Sequence, residues 1–223
     1  MREVIRVSRF VELSHPIIAG MTTYPGLPAP EITTYLDREE SARRFTGGVS
    51  FHIGRITLVA NTGTYLDAPY HFHADGPDVS AVPLERVADV PIVMIRASRL
   101  PSVSAGLLSD PAQLWGAAVL VQTDWSRHWG TAAYFTGSPF LTADAAGALV
   151  DANVAAVGID SLNIDDVEDL TRPVHDTLLG AGIPVLEHLT NLGAVPDIGA
   201  RLIAVPAPVR GMGTFPVRAI AVL

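Results

Sequence analysis

"LTADAAGALVDANVAAVGI", residues 141–159, decides the fold. Its first part, 141–153, reads as a helix. Thr142 can cap its start, and Ala145, Ala146, Leu149 and Val150 fall on one stripe. Its second part, "VAAVGI" (154–159), is apolar at every position, the pattern of a strand buried on both faces. Outward from this pair, similar short runs stand at 89–97 ("DVPIVMIRA"), 117–123 ("AAVLVQT"), 183–189 ("IPVLEHL"), 201–207 ("RLIAVPA") and 217–223 ("VRAIAVL"). "RPVHDTLLGAG" (172–182) reads as a second, short helix, with Pro173 at its start and Gly180 or Gly182 at its end. Strand–helix–strand alternation predicts an α/β fold with a mixed sheet. The first 80 residues are rich in Pro, Gly and Thr, with a weak β pattern at "RITLVANTGTYLD" (55–67), and add strands and long loops. No repeat or low-complexity linker interrupts the chain, so residues 1–223 are expected to form one domain.

Composition narrows the function. The chain is 48% hydrophobic, enough for a sizeable core, and its formal net charge is -8. None of the 15 Lys and Arg residues cluster into a run, which argues against a nucleic-acid partner. There are no cysteines, hence no disulfides and no thiolate nucleophiles or ligands. The opening "MREVIRVSRFVELSH" reads as neither signal peptide nor anchor, and no stretch approaches a membrane span. A soluble, cytoplasmic protein is expected.

Seven histidines are present, and a lone His is more often structural than catalytic, so each needs a partner. His15, before Pro16, is expected to make a turn hydrogen bond, and His128 to lie in a loop or interface. Glu187 and His188 are neighbours on an expected strand, so only one of them can face a site. "NTGTYLDAPYHFHADG" (61–76) is harder to dismiss. It sets Asp67 before His71 and His73, with Gly63 where backbone must come close to something and Pro69 fixing the turn. If 71–73 is extended, the two histidines share a face; if it turns, one is free. "GIDSLNIDD" (158–166) brings acids to the C-terminal end of a buried strand, where α/β sites usually lie. Asp67, His175 and Glu187 together would make a hard nitrogen–oxygen site for one divalent ion. His71 would then be free for acid–base work near neutral pH.

These segments resemble the cyclase family that includes bacterial kynurenine formamidase and isatin hydrolase. The resemblance runs nearly end to end, through "LSHPIIAGMTTYPGLP" (13–28), "NTGTYLDAPYHF" (61–72), "TDWSRHWGTAAYF" (123–135), "VGIDSLNID" (157–165), "HDTLLGAGIPVLEHLTNL" (175–192) and "FPVRAIAV" (215–222). It implies a swivelling β/α/β domain that pairs into homodimers or larger homo-oligomers. The family's metal motif is His-x-Gly-Thr-His-x-Asp-x-Pro-x-His. Here its two metal-binding histidines are Asn61 and Tyr65, while its Asp is kept as Asp67 and its acid–base histidine as His71. A second ion in formamidase-like members uses that Asp with a His and a Glu that fall on His175 and Glu187. Tyr24 falls where formamidases set an aromatic against the substrate ring.

The loss of two imidazoles predicts no well-occupied ion at 61, 65 and 67, since an amide oxygen and a neutral phenol are weak ligands. At most one divalent ion, zinc or manganese, is expected, at Asp67, His175 and Glu187. Asn61 and Tyr65 can instead hydrogen-bond a carbonyl or oxyanion. Three functions follow. The first is a hydrolase or cyclase acting on an amide, lactam or lactone of a small aromatic substrate, with His71 as general acid/base and Asp67 orienting it. The second is a metal-independent lyase or dehydratase using Tyr65 and His71. The third is a non-catalytic binder of small molecules. The aromatic loop 124–135 is expected to pack at an interface or as a lid.

Overall fold

The computed structural model describes residues 9–108 and 110–223. The first eight residues, part of the stretch read above as neither signal nor anchor, lie outside it, as does residue 109. The strands are β1 (Phe10–Glu12), β2 (Glu31–Leu36), β3 (Ile53–Thr57), β4 (Tyr65–Asp67), β5 (Ala88–Arg96), β6 (Ser102–Val103), β7 (Ala118–Gln122), β8 (Phe140–Leu141), β9 (Ala156–Ile159), β10 (Val185–Glu187), β11 (Ile198–Ile203), β12 (Thr214–Pro216) and β13 (Ile220–Val222). The helices are α1 (Arg38–Arg44), α2 (Pro111–Leu114), α3 (Ala143–Asp151) and α4 (Pro173–Gly180). Among the described residues no helix is long and apolar enough to cross a membrane.

Nine strands form one mixed sheet in the order β1-β13-β11-β5-β7-β9-β10-β4-β12. Its centre, β5-β7-β9-β10, is parallel, and both flanks are antiparallel. The all-apolar runs are its central strands, and period-2 alternation divides their side chains between two cores. Val93, Ile95, Val119, Val121, Val157 and Ile159 pack under α3 and α4. Ile92, Met94, Leu120 and Ala156 face the other way, into a core to which, among the described residues, strands, loops and a 3-10 turn contribute but no α-helix does. A core filled from β1, β4, β5, β7, β10, β11 and β13 together requires the sheet to curl around it.

Several boundaries are tighter than the sequence suggests, each for a local reason. The 201–207 run starts earlier, at Ile198, and stops at Ile203, short of Pro206, which has no amide hydrogen for a ladder. In the 217–223 run, Val217 donates to Thr64 O and Ala219 to Ser14 Oγ, so pairing begins only at Ile220. The 55–67 pattern is split. Ile53–Thr57 joins β2 in a separate ribbon, whereas Tyr65–Asp67 enters the main sheet. Gly63 makes the break at φ 69, and a Cβ there would lie 3.0 Å from Ile17 Cγ1.

Thr142 is the N-cap residue of α3, but its hydroxyl accepts no backbone hydrogen bond. It donates to Val103 O at 3.1 Å and to Asp144, so the expected cap is corrected to a bridge between segments. α4 begins with Pro173 at its first position and ends where Gly182, at φ 74, donates to Leu179 O.

Candidate active site

The site forms where β4, β10 and α4 meet, on the helix-covered face of the sheet. Tyr65 and Asp67 are two apart on β4 and share that face, while Leu66 between them enters the opposite core. On the antiparallel neighbour β10, Glu187 lies directly opposite Tyr65, and Val185 opposite Asp67. Directly opposed residues project on the same side. The register thus places Tyr65 to donate its hydroxyl hydrogen bond to Glu187 Oε2 at 2.6 Å.

His175 comes from the first turn of α4 and is fixed by Asp165. One Asp165 oxygen accepts from the Val174 amide at 2.7 Å, and the other from the His175 amide at 3.0 Å and His175 Nδ1 at 2.6 Å. One carboxylate therefore caps α4 and aims the imidazole. His175 Nε2 then faces Asp67 Oδ2 at 3.7 Å and Glu187 Oε1 at 3.6 Å. Ligand atoms of Asp67, His175 and Glu187 all lie within 4.8 Å of one another, so the three buried side chains form a group that can hold a metal ion. Both Asp67 oxygens are buried without a hydrogen-bond partner. A carboxylate in that state is costly unless a cation shares its space, which fits an ion at this position.

The same electrostatics shape the neighbouring groups. Burial opposes a positive His175, yet the Asp165 hydrogen bond and the Asp67 and Glu187 carboxylates lift its pKa to about 10. Burial raises Glu187 to about 7, with His175 pulling down and Asp67 pushing up. Burial also drives Tyr65 well above the usual phenol value, reinforced by Glu187 and Asp67.

Above this group lies a cavity of about 320 Å³, lined by Asn61, Tyr65, His71, His175 and Glu187, with Tyr24 at its wall. Asp67 sits beneath it. His71 ends a turn of 3-10 helix (Pro69–His71), and its Nε2 is 3.8 Å from Asp67 Oδ1. That turn separates the two histidines. His71 faces the cavity, while His73 Nε2 lies 3.1 Å from Asp176 O on α4. Asn61 Oδ1 accepts from Thr214 Oγ1 at 3.0 Å, and its amide group lies against the Tyr65 hydroxyl at the cavity wall. Leu27, Phe72, Asn163 and Arg172 also line the space and were not singled out from sequence. Asp165 was missed as well; its only signal was the acid-rich end of "GIDSLNIDD".

His15, His128 and His188 lie outside the cavity wall. His15 makes no side-chain turn bond, contrary to the sequence reading: its Nε2 is buried without a partner and its ring stacks on Trp129 at 4.1 Å. His128, read as a loop residue, instead ends a turn of 3-10 helix (Trp125–His128) and accepts from Arg127 Nε. His188 stands just past β10 at φ 57, its Nδ1 2.8 Å from the Tyr134 hydroxyl and its ring edge-on to Tyr65. Trp129 and Tyr134 of the aromatic loop pack inward on these histidines, and Tyr134 is fully buried.

Burial holds His188 down to about 3, with His15 adding to the effect. A depressed pKa supports the fold above the unfolded value of 6.5 and withdraws that support as pH falls toward about 3. Glu187 acts the other way between 4.5 and about 7, so a variant is needed to isolate the histidine. As pH falls from about 6.5 to about 4, wild type should steadily lose melting temperature relative to His188→Gln. A constant difference across that range would rule out a buried neutral imidazole at this position.

The Cyclase family profile matches residues 11–166. The chain belongs to the cyclase family. Kynurenine formamidase of Bacillus cereus is 28% identical over 216 residues, 97% of this chain and 98% of that one. The kynurenine formamidase of Bacillus cytotoxicus is 30% identical over the same shares. Among solved structures, isatin hydrolase A from Labrenzia aggregata, bound to benzyl benzoate, superposes with a TM-score of 0.81 at 24% identity. That match covers 97% of this chain and 94% of the other. A structure described as a potential metal-dependent hydrolase with cyclase activity gives a TM-score of 0.78 at 25% identity, over 96% and 98%.

Proposed function

We propose that this cyclase-family protein hydrolyses the C–N bond of an acylated aromatic amine, of which an aryl formamide is the simplest case. The observation that carries the reading is His71 at the wall of an aromatic-lined cavity, directly above the buried Asp67–His175–Glu187 group. Full-length similarity to kynurenine formamidases supports the bond type.

His71 accepts a proton from water as the oxygen adds to the acyl carbon, and returns it to the departing amine nitrogen. Asp67, 3.8 Å from His71 Nε2, favours the transient imidazolium. Asn61, in the cavity wall beside the Tyr65 hydroxyl, would offer its second amide hydrogen to the acyl oxygen. Tyr24 and Phe72 flank the ring; Phe72 itself lies flat against His175 at 5.0 Å. Asp67, His175 and Glu187 would hold a divalent ion, which supplies Lewis-acid polarisation of the acyl group when bound.

Tyr65 has a smaller part than its position suggests. Its one proton is committed to Glu187, and its pKa is raised well above 10. Both facts make it a poor proton donor and weigh against a lyase that uses Tyr65 as its acid.

Turnover of a panel of aryl formamides, aromatic lactams and aromatic lactones tests the reading. Formamides should be cleaved with release of the free amine. Turnover confined to the lactones would overturn the C–N assignment, and binding without turnover of any member would favour a non-catalytic homologue.

A further inference from the structure

The two buried carboxylates beneath the cavity are held differently. Asp67 has no hydrogen-bond partner on either oxygen; Oδ2 is 3.7 Å from His175 Nε2, and Oδ1 is 3.8 Å from His71 Nε2. Glu187 is fixed at both oxygens. Its Oε1, 3.6 Å from His175 Nε2, accepts from the Ile164 amide at 2.7 Å. Its Oε2 accepts from the Tyr65 hydroxyl at 2.6 Å.

The direction of the Tyr65 bond is set from behind. Thr214 Oγ1, on β12, donates to Asn61 Oδ1 at 3.0 Å, and the Asn61 amide group lies against the Tyr65 oxygen. The phenol proton is left for Glu187, so a run of donors crossing from β12 over β4 to β10 ends on Oε2. The Glu187 carboxylate is thus clamped between a backbone amide on one oxygen and a phenol on the other. A carboxylate that chelates an ion offers it both oxygens. Turning Oε2 toward His175 would break the Tyr65 bond.

We propose that Tyr65 is a positioning residue for the metal: it holds Glu187 to a single ligand oxygen and so biases the site toward zinc and away from manganese. His175 Nε2, one oxygen from each carboxylate and a water make the four-coordinate nitrogen–oxygen set that zinc takes, whereas manganese favours six oxygen-rich ligands. This selectivity rests on the reading of Asp67, His175 and Glu187 as an ion site, and on no assumption about the substrate.

Titration of chelator-stripped protein with zinc, manganese and cobalt(II), wild type beside Tyr65→Phe, is the test. Phenylalanine keeps the buried ring and removes only the hydroxyl. Zinc outranks manganese at most nitrogen–oxygen sites, so the informative quantity is the change in their ratio. In Tyr65→Phe zinc affinity should fall about tenfold, as when a ligand loses its orienting partner, while manganese affinity holds or rises because Oε2 is released. The wild-type cobalt complex should show the intense visible absorption of a four-coordinate ion, and that absorption should weaken in the variant. A weakly absorbing, six-coordinate cobalt complex in wild type would overturn the proposal without recourse to a variant. So would an unchanged zinc-to-manganese ratio in Tyr65→Phe, an equal loss for both ions included, which would leave the hydroxyl as a brace between β4 and β10. If wild type binds none of these ions, the ion site itself fails and the proposal with it. Amine release from an aryl formamide by the same protein reports separately on the hydrolase reading.

Discussion

His71→Ala should lose about 10² to 10⁴ in turnover of an aryl formamide while its melting temperature stays close to that of wild type. The side chain is one-third exposed and makes no hydrogen bond among the described residues; its Nε2 lies 3.8 Å from Asp67 Oδ1. The position is held by backbone, which alanine retains. The His71 amide donates to Ala68 O, and Gly213 packs so closely that a Cβ there would lie 2.7 Å from His71 Cα. His73→Ala is the matched control. That ring lies against Asp176 and Gly180 of α4, away from the cavity, so its loss should touch stability more than rate. Full activity in His71→Ala would remove the acid–base assignment. A rate loss that tracks a fall in melting temperature would do the same.

The parts of this molecule that sequence revealed are those whose cause is local. β5, β7 and β9 are apolar on consecutive residues because both faces of the sheet are buried, and that pattern is written in the strand itself. Asn61, Tyr65, Asp67 and His71 stand in one short segment, and their spacing alone places them near each other. The ribbon formed by β2 and β3 left only the start of the weak pattern at 55–67, since every residue of β3 is exposed and no inside–outside alternation strengthens it. Asp165 and Arg172 were illegible for another reason. Asp165 acts on amides and an imidazole nine and ten residues away, once the 160–172 loop has closed back on α4. Arg172 reaches the cavity wall from a left-handed backbone position, φ 49 and ψ 52, that the sequence does not announce. The consequence of Tyr65 also depended on register. Only the pairing of Tyr65 with Glu187 turns a lost imidazole into a hydrogen-bond donor aimed at a carboxylate.

Asp67→Asn should move stability and metal affinity in opposite directions. In chelator, wild type carries Asp67 with both oxygens buried and unpartnered, beside Glu187 and with the single His175 imidazole as shared counter-charge. An amide at that position removes one of the carboxylates competing for that imidazole and relieves the push of Asp67 on Glu187. The chelated variant should therefore melt at or above the temperature of chelated wild type. Adding manganese or zinc should reverse the order. An ion that binds only the folded state stabilises it by about 2.7 kcal/mol at a hundredfold excess over its Kd, and the variant lacks the carboxylate needed to hold it. His175→Ala and Glu187→Gln should lose the same thermal response, because all three side chains converge on one point. Elemental analysis of protein purified without chelator supplies the independent readout. Metal that survives in both of these variants yet disappears with Asp67 would place the ion at residues 61, 65 and 67 instead. A wild type that gains no stability from either ion would leave His175 as the cation that Asp67 is built around.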